Sequence, residues 1–401
     1  MATYWSFHTA GETIFGPGAI QELERLAHQR ELRRVLVITD PPLVQVGPVE
    51  QVTKVLRAAD VAYDMFDEGE PEPSLETVLA CAERVHSADY DALVAVGGGS
   101  NMDLAKAAAV VARYGGHPRD YMGENLVPGP IMPLIAVSTT AGTGSEVSPA
   151  AVLKDLDTGR KGAILDNLIR PAVALCDPEL TLSCPPWLTA AAGLDALTHA
   201  IEAYINLDFH AKPPPPEGPT VFQGKGPLTD VLALRAIELI GRNLERAVHH
   251  GDDLEARTAV HLGSLLAGMA FSNAGVGVVH AMEYPVAELA HRPHGEGNAL
   301  LLPYVMEFNV PARPQAFAEI ARAMGEDVEG LSAEEAAPRA VEAVRRLERA
   351  VGVPMRLSEI GITADQVDYI AERTFSLKRL MLINPRPVTL DDLKEIVRRA
   401  L

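Results

Sequence analysis

One carboxylate and three histidines in the second half of the chain have the types and spacing of metal ligands. Asp195 and His199 lie four residues apart in the segment GLDALTHAIEAYI, and His280 and His294 follow downstream. A spacing of four residues is about one helical turn, so the first pair shares one face of a helix. Together the four groups could ligate one divalent metal ion.

The surroundings of these residues favour ligation over an ordinary surface pair. An Asp and a His at this spacing are common on exposed helix faces. Here Asp195 and His199 lie in an Ala-rich helix and His280 follows the apolar segment AGVGVV, where a buried carboxylate needs a partner. His294 lies in RPHGEGN, a predicted turn, and the neighbouring His291 could replace it as a ligand.

A glycine-rich stretch in the first half has the character of a phosphate site. Gly97, Gly98 and Gly99 follow the apolar strand ALVAV and precede a helix. Glycines let the backbone approach a diphosphate, and the N–H groups of a helix start attract an anion. We expect Ser100 to be the N-cap of that helix and Asp103 its capping-box acid. A plain tight turn is the alternative, but three glycines exceed what a turn needs.

A second polar loop, STTAGTGSE, follows the strand PLIAV. Thr139, Thr140, Thr143 and Ser145 offer hydroxyl groups for phosphate or ribose contacts. The alternative is a polar loop that caps its own helix.

An acid ends the strand RVLVITD. Asp40 could accept a hydrogen bond from an adenosine ribose and repel a 2′-phosphate, which would favour NAD over NADP. A turn residue before two prolines is an equally good interpretation.

The elements that must position these residues fall into two groups. The first half alternates strands and helices, which predicts an α/β domain with a parallel sheet over residues 1–185. Residues 186–401 show only helical periodicity and predict an all-α domain. The segment 208–227 is rich in Pro and Gly, so we expect a surface excursion or a loop at a substrate cleft or subunit interface.

Composition excludes several classes of protein. The 401-residue chain has a net charge of −19, which disfavours binding to nucleic acid or to an anionic membrane. No apolar stretch is long enough to span a bilayer. The three cysteines lack a CxxC spacing and predict a reducing, cytoplasmic setting.

Taken together, these segments resemble the iron-dependent (group III) alcohol dehydrogenases over nearly the whole chain. The motifs that carry the resemblance are FGPGAIQEL, GGGSNMDLAKA, STTAGTGSEVSP, GLDALTHAIEAY, HAMEYP and PHGEGNALLLPYV. The resemblance implies an N-terminal dinucleotide-binding domain and a helical C-terminal domain, the dehydroquinate synthase-like fold. It also implies a metal held by Asp195, His199, His280 and His294. Cofactor contacts would fall on the GGGS turn, the TTAGTGS loop and Asp40, and by position on Lys161 and Leu180.

The chain departs from the family at two places. Many members carry a histidine four residues after the third metal ligand as a proton relay, and this chain has Tyr284 there. A relay here would use the tyrosine hydroxyl, a ribose hydroxyl or water, or would be absent. The segment TVFQGKGPLTD resembles the hydroxyacid–oxoacid transhydrogenase branch, which leaves the substrate class open.

The predicted function is hydride transfer between a small alcohol and NAD, with aldehyde or ketone reduction in reverse. Fe²⁺ is favoured by the resemblance, while the ligand set would also accept Zn²⁺ or Mn²⁺. A transhydrogenase that retains its NAD is the alternative. A lyase that recycles NAD internally and a plain metallohydrolase are weaker alternatives. The resemblance further implies a homodimer or larger homo-oligomer.

Overall fold

The computed structural model describes residues 4–213 and 220–401. These residues form two compact units, His8–Cys184 and Pro185–Leu401, and the second unit also includes the described residues up to Phe7. The N-terminal residues join the helical unit because Ser6 and Gln223 exchange hydrogen bonds between backbone and side-chain amide, at 3.0 and 3.1 Å. The structure therefore differs from the sequence prediction, which gives these first residues to the α/β domain.

The α/β unit is built on parallel strands that alternate with helices. Its strands are β1 (Glu12–Phe15), β2 (Arg34–Ile38), β3 (Ala62–Phe66), β4 (Ala92–Gly97), β5 (Gly123–Glu124), β6 (Leu134–Ser138), β7 (Ala150–Asp155), β8 (Arg160–Leu165) and β9 (Val173–Cys176). Its α-helices are α1 (Glu22–Gln29), α2 (Pro41–Val46), α3 (Pro48–Ala58), α4 (Leu75–His86) and α5 (Gly99–Tyr114).

The main sheet has six strands in the order β1-β9-β6-β4-β2-β3, and every pairing in it is parallel. Successive side chains of its central strands enter different hydrophobic cores. Leu36, Ile38 and Leu93 pack on one face, whereas Val35, Val37 and Val94 pack on the other. Burial on both faces explains why these strands read as continuous apolar runs in the sequence.

The strand order reverses at the centre of this sheet. From β2 the chain moves outward to β3, and it then returns so that β4 lies on the other side of β2. In open α/β sheets a ligand-binding crevice lies at such a switch point, beyond the carboxyl ends of the strands. Asp40 follows the end of β2 and Gly97 is the last residue of β4, so two of the predicted cofactor residues flank this point.

A second, three-stranded sheet has the order β5-β8-β7. Its β7–β8 pairing is antiparallel, and Lys154 pairs with Lys161 in the register. This hairpin was not expected from the sequence, since its strands mix polar and apolar residues.

The second unit is helical. Its helices are α6 (Pro186–Ile205), α7 (Pro227–His249), α8 (Leu254–Ala274), α9 (Val278–Ala290), α10 (His294–Asn309), α11 (Pro314–Ala323), α12 (Ala333–Val351), α13 (Val367–Ser376), α14 (Lys378–Met381) and α15 (Leu390–Ala400). Helix α6 is buried along most of its length and packs against α7, α8 and α10. The predicted two-domain fold, a parallel α/β unit and a helical unit, is confirmed.

The Pro/Gly-rich segment 208–227 has no helix before Pro227 in its described residues. Asp208 and Lys225 form a bridge, while residues 214–219 lie outside the described part. Within the described ranges no helix on its own has the length and apolarity to cross a membrane. Only the sharply bent pair α8 and α9, taken together, passes on those two criteria.

Candidate active site

Three helices of the second unit bring a carboxylate and two imidazoles together. Asp195 lies in the middle of α6, His280 in the first turn of α9, and His294 is the first residue of α10. One ligand atom from each of the three lies within 4.8 Å of the others. The Nε2 atoms of both histidines are 3.9 Å from Asp195 Oδ1.

His199 lies beside this group rather than inside it. Its Nδ1 is 3.9 Å from Asp195 Oδ2, one turn earlier on α6. Its ring stacks between Phe271 and His280, at centroid distances of 4.1 and 4.6 Å. The structure therefore gathers three of the four predicted ligands and places the fourth in contact with them.

The Asn298 side-chain amide shows where the lone pairs of the three groups converge. Its Nδ2 lies 2.7 Å from Asp195 Oδ1, 3.2 Å from His280 Nε2 and 3.1 Å from His294 Nε2. Because these three acceptor atoms surround the same Asn298 nitrogen, their lone pairs point toward a common position. One carboxylate and two imidazole nitrogens in this arrangement fit a divalent metal ion.

Asp195 is only 2 % exposed, yet it stays ionised. Burial works to raise its pKa, but His199, His294 and His280, together with the Asn298 amide, outweigh that effect and lower the pKa below its usual range. The carboxylate is therefore available as a ligand at neutral pH.

The start of α10 selects His294 over its neighbour His291. His291 ends α9 in a left-handed conformation, with φ of 51°, and is not part of the ligand cluster. Helix α10 then begins directly at His294 and approaches α6 closely at the next residue. A Cβ at Gly295 would lie 2.2 Å from the Ala191 carbonyl oxygen, so only glycine fits there.

Sequence reasoning missed two carboxylates that stand behind the histidines. Glu202 Oε2 accepts a hydrogen bond from His280 Nδ1 at 2.6 Å, and Glu283 Oε2 lies 2.5 Å from His294 Nδ1. For Glu202, the spacing in the sequence could have indicated a position near the ligands. Glu202 follows Asp195 by seven residues in an apolar helix, which places it on the same helical face.

In the first unit, the glycine turn leads directly into a helix. Helix α5 begins at Gly99 with Gly98 as its N-cap, so the expectation that Ser100 caps it is wrong. The Ser100 hydroxyl instead donates to the Pro71 carbonyl at 2.6 Å. Gly97 has a φ of 151° and a Cβ there would lie 2.2 Å from Asn101 Nδ2, so the turn requires glycine on both counts.

Asp40 has the turn-residue role that was one of its two interpretations, and it makes a further contact with α5. As the N-cap of α2 it accepts from the Leu43 backbone at 3.0 Å, which is the turn-residue role. Its other oxygen accepts from Asn101 Nδ2 at 2.7 Å. That contact ties the end of β2 to the start of α5 and fixes the carboxylate beside the glycine turn.

The polar segment 138–146, called the hydroxyl loop from here on, packs directly against the glycine turn at residues 97–100. A Cβ at Gly98 would lie 3.1 Å from Thr140 Oγ1, and a Cβ at Gly99 would lie 2.7 Å from Thr143 Cγ2. The structure therefore brings the two predicted phosphate-binding segments together at the carboxyl ends of β4 and β6.

Several buried polar atoms at this sheet edge have no hydrogen-bond partner among the described residues. They are the Thr39 and Thr139 hydroxyls and the side-chain amide oxygen Oδ1 of Asn101, which follow β2, β6 and β4, respectively. Buried polar groups are rarely left unsatisfied in native proteins. Their clustering at the switch point fits a polar ligand such as a dinucleotide.

Asp103 and Ser145 bond to one another. Asp103 is not a capping-box acid, because its carboxylate accepts from the Ser145 hydroxyl at 2.6 Å and from the Val152 backbone at 2.9 Å. The fully buried Lys106 donates to the Ser145 backbone and side-chain oxygens, both at 2.7 Å. These contacts brace the hydroxyl loop against α5.

The remaining predicted residues lie in varied settings. Lys161 on β8 forms a 2.5 Å ion pair with Glu72, and Leu180 is buried in the core beneath the main sheet. Tyr284 lies half-buried on α9, one turn after His280.

Comparison with known proteins agrees with this architecture along most of the chain. Residues 10–178 match the family model described as iron-containing alcohol dehydrogenase. Residues 221–401 match the model of the C-terminal part of the Fe-containing alcohol dehydrogenase family. This chain belongs to the iron-containing alcohol dehydrogenase family.

Relatives in this family act on alcohols and aldehydes. The NAD-dependent methanol dehydrogenase of Bacillus methanolicus is 37 % identical over 99 % of this chain and 100 % of its own. The 1,3-propanediol dehydrogenase of Citrobacter freundii is 38 % identical, and 96 % of each chain is covered. The chain is therefore an oxidoreductase of alcohols or aldehydes.

Two solved structures share the fold closely. A 1,3-propanediol oxidoreductase superimposes with a TM-score of 0.93 at 37 % identity, over 99 % of this chain and 100 % of that one. The sulfoacetaldehyde reductase from Bifidobacterium kashiwanohense, solved in complex with NAD⁺, has a TM-score of 0.87 at 29 % identity, over 100 % and 99 %.

Proposed function

We propose that this iron-containing alcohol dehydrogenase transfers hydride between a small primary or secondary alcohol and NAD, and reduces the aldehyde or ketone in reverse. The observation that carries the proposal is the convergence of Asp195, His280 and His294 on one point in the helical unit. The methanol and propanediol relatives support a small alcohol as substrate.

The metal ligands in this proposal are Asp195, His280, His294 and, from the same helix as Asp195, His199. His199 is already in contact with this group through Asp195 Oδ2, at 3.9 Å from its Nδ1. A divalent ion held there supplies Lewis acidity toward the alcohol or carbonyl oxygen of the substrate. The family name favours Fe²⁺, while the mixed nitrogen and oxygen donors would also accept Zn²⁺ or Mn²⁺.

NAD is the proposed cofactor, with its phosphates at the N-terminus of α5. The N–H groups at Gly99 and Ser100 would face an anion there, the Thr140 hydroxyl lies beside the turn, and the Thr139 hydroxyl would complete the contacts. NAD held by these residues would supply the nicotinamide that acts as hydride acceptor for the alcohol. Asp40 would receive the adenosine ribose and disfavour the 2′-phosphate of NADP.

The remaining assignments of the cofactor site are also part of the proposal. Thr143, Ser145 and Asp103 would shape the loop through their mutual contacts, and Lys161 and Leu180 would line the pocket. The Tyr284 hydroxyl is the proposed proton relay, which would accept the proton of the alcohol while passing its own proton to solvent, in place of the histidine found in many family members.

We further propose a cytoplasmic homodimer or larger homo-oligomer. The three cysteines, Cys81, Cys176 and Cys184, are buried and form no disulfide, which supports a reducing compartment.

The deciding experiment compares wild type with His280→Ala and with His291→Ala, the neighbouring histidine outside the cluster. Metal content and NADH absorbance are followed with a panel of small alcohols under NAD and NADP. We expect His280→Ala to lose bound metal and turnover together, and His291→Ala to keep both. Full activity in metal-free His280→Ala would refute the mechanism. Turnover with no added NAD, given a hydroxyacid and an oxoacid, would instead support the transhydrogenase.

A further inference from the structure

We infer that Glu202 is a positioning residue for the metal centre, and that it fixes the proton and the orientation of the His280 ring from behind. This inference rests on the metal site proposed above. It assigns a role to a residue that makes no direct contact with Asp195 or His294 among the interactions described here.

The contact between Glu202 and His280 determines which ring nitrogen carries the proton. Glu202 Oε2 lies 2.6 Å from His280 Nδ1, and the two side chains are only 3 % and 7 % exposed, respectively. The Glu202 carboxylate also accepts from two backbone N–H groups, so in this contact it is the acceptor and Nδ1 is the donor. The lone pair of the imidazole is then on Nε2, the atom that faces Asp195 Oδ1 and Asn298 Nδ2.

Glu202 also fixes the backbone from which His280 projects. Its Oε2 accepts from the Gly277 N–H at 2.9 Å, and its Oε1 accepts from the Val279 N–H at 2.7 Å. These are donors at the start of α9, where N–H groups have no partner within their own helix. The carboxylate therefore caps α9 from α6, and its charge is favourably placed at a helix N-terminus.

These contacts couple two helices that both contribute ligands. Asp195 and Glu202 project from the same face of α6, while His280 projects from the first turn of α9. A single carboxylate thus sets ring orientation, proton position and helix position relative to Asp195. Partners of this kind behind a ligating histidine contribute about 10- to 100-fold to metal affinity.

Close packing at Gly277 supports the role of Glu202 at the start of α9. A Cβ at Gly277 would lie 3.2 Å from Glu202 Oε1 and 3.4 Å from Asn206 Oδ1. The close approach of the backbone to the carboxylate thus favours glycine at the helix start.

The test measures metal affinity in the apoprotein and needs no turnover. Wild type, Glu202→Gln, Glu202→Ala and Glu348→Gln are stripped with a chelator and titrated with Co²⁺, and the visible absorption of the bound ion is recorded. Glu348 is the matched control because it is a buried glutamate of the same unit, 1 % exposed, on α12.

We expect the dissociation constant for Co²⁺ to increase from wild type to Glu202→Gln and again to Glu202→Ala. Glutamine keeps one carbonyl acceptor for Nδ1 but loses the charge, so we expect about a 10-fold weaker Kd, and about 100-fold for alanine. The Co²⁺ spectrum should shift in both variants, while Glu348→Gln matches wild type in Kd and spectrum. If alanine fails to fold, the glutamine variant decides. An unchanged Kd and spectrum in Glu202→Gln overturns the inference.

His280→Ala in the same titration separates the two proposals. Loss of Co²⁺ binding in His280→Ala with no change in Glu202→Gln rejects only the role of Glu202. Retention of wild-type binding in His280→Ala rejects the metal site itself.

Discussion

Asp195 is an ionised side chain in a place where charge is costly. The Asp195 side chain is only 3 % exposed, and its carboxylate accepts a hydrogen bond from the neutral Asn298 amide. Burying a charged carboxylate costs several kcal/mol, and imidazole nitrogens at 3.9 Å offset only part of that cost. Such a residue persists when a cation compensates it in the working protein, which agrees with the metal site proposed here.

Asp40 is the residue at which cofactor choice can be tested. In Asp40→Asn the charge that repels a 2′-phosphate is lost, while an asparagine still caps α2. We expect the ratio of kcat/KM for NADP to that for NAD to rise at least about 10-fold, equivalent to about 1.4 kcal/mol. Steady-state kinetics with both cofactors measures this, and an unchanged ratio would contradict the assigned role.

Glu146 lies in the hydroxyl loop and is 3 % exposed. Burial raises its pKa to about 7, although a backbone hydrogen bond and Lys106 oppose the shift. The folded state therefore binds a proton more tightly than the unfolded chain, whose glutamates titrate near about 4.3. The resulting stability is complete below that lower value and is lost as pH rises to about 7.

Glu146→Gln resembles the protonated form at every pH, so its stability should lack this dependence. At pH 8 we expect the variant to have a higher melting temperature than wild type and a free energy of unfolding that is about 1–3 kcal/mol larger. Both differences should vanish toward pH 4.5. Calorimetry across this range measures it, and the exposed Glu83→Gln serves as control. A constant difference between pH 5 and 8 would show that Glu146 does not titrate as stated.

At the scale of elements, the junction of α6 with α10 sets the position of His294. In Gly295→Ala the added methyl meets the Ala191 carbonyl, so α10 must shift away from α6. We expect the metal Kd to weaken at least about 10-fold, with a loss of about 1–3 kcal/mol in stability. Gly226→Ala is the control, because its nearest contact would be an ordinary 3.8 Å. Equal metal affinity in both variants would contradict this account.

The long apolar elements could be predicted from the sequence because their patterns are local. Helix α6 and strand β4 are continuous apolar segments and are buried as expected. The β7–β8 hairpin could not be predicted in the same way, since β8 exposes part of its length and its residues mix charge with small apolar groups. Strand β1 is four residues long, too short for a periodic signal.

The candidate site shows the same division between local and distant information. Residue type and spacing were enough to propose Asp195, His280 and His294, which the structure brings together. The role of Glu202 depends on a partner 78 residues away, and no local pattern shows which helix start a carboxylate will cap. Ser100 was expected as an N-cap by propensity, but the tight turn places Gly98 there instead.

At the scale of the whole molecule, metal removal should cost stability. The ligand cluster contains the buried carboxylate of Asp195, and the buried Glu202 and Glu283 stand behind its two histidines. Metal that binds only the folded protein contributes about 4 kcal/mol at a thousand times its Kd. We expect chelation to lower the melting temperature by several degrees and readdition of Fe²⁺ or Zn²⁺ to restore it. Identical melting of wild type and His280→Ala, both measured with metal present, would contradict this.

The path of the chain between the two units has a practical consequence for dissecting the protein. Because Ser6 pairs with Gln223, the helical unit consists of two separate stretches of polypeptide. In the sequence, the entire α/β unit lies between these two stretches. A gene fragment starting at codon 185 would lack its N-terminal edge. Restoring it would require a short synthetic peptide spanning Tyr4–Phe7, or a circularly permuted gene that fuses this stretch behind Leu401 through a linker.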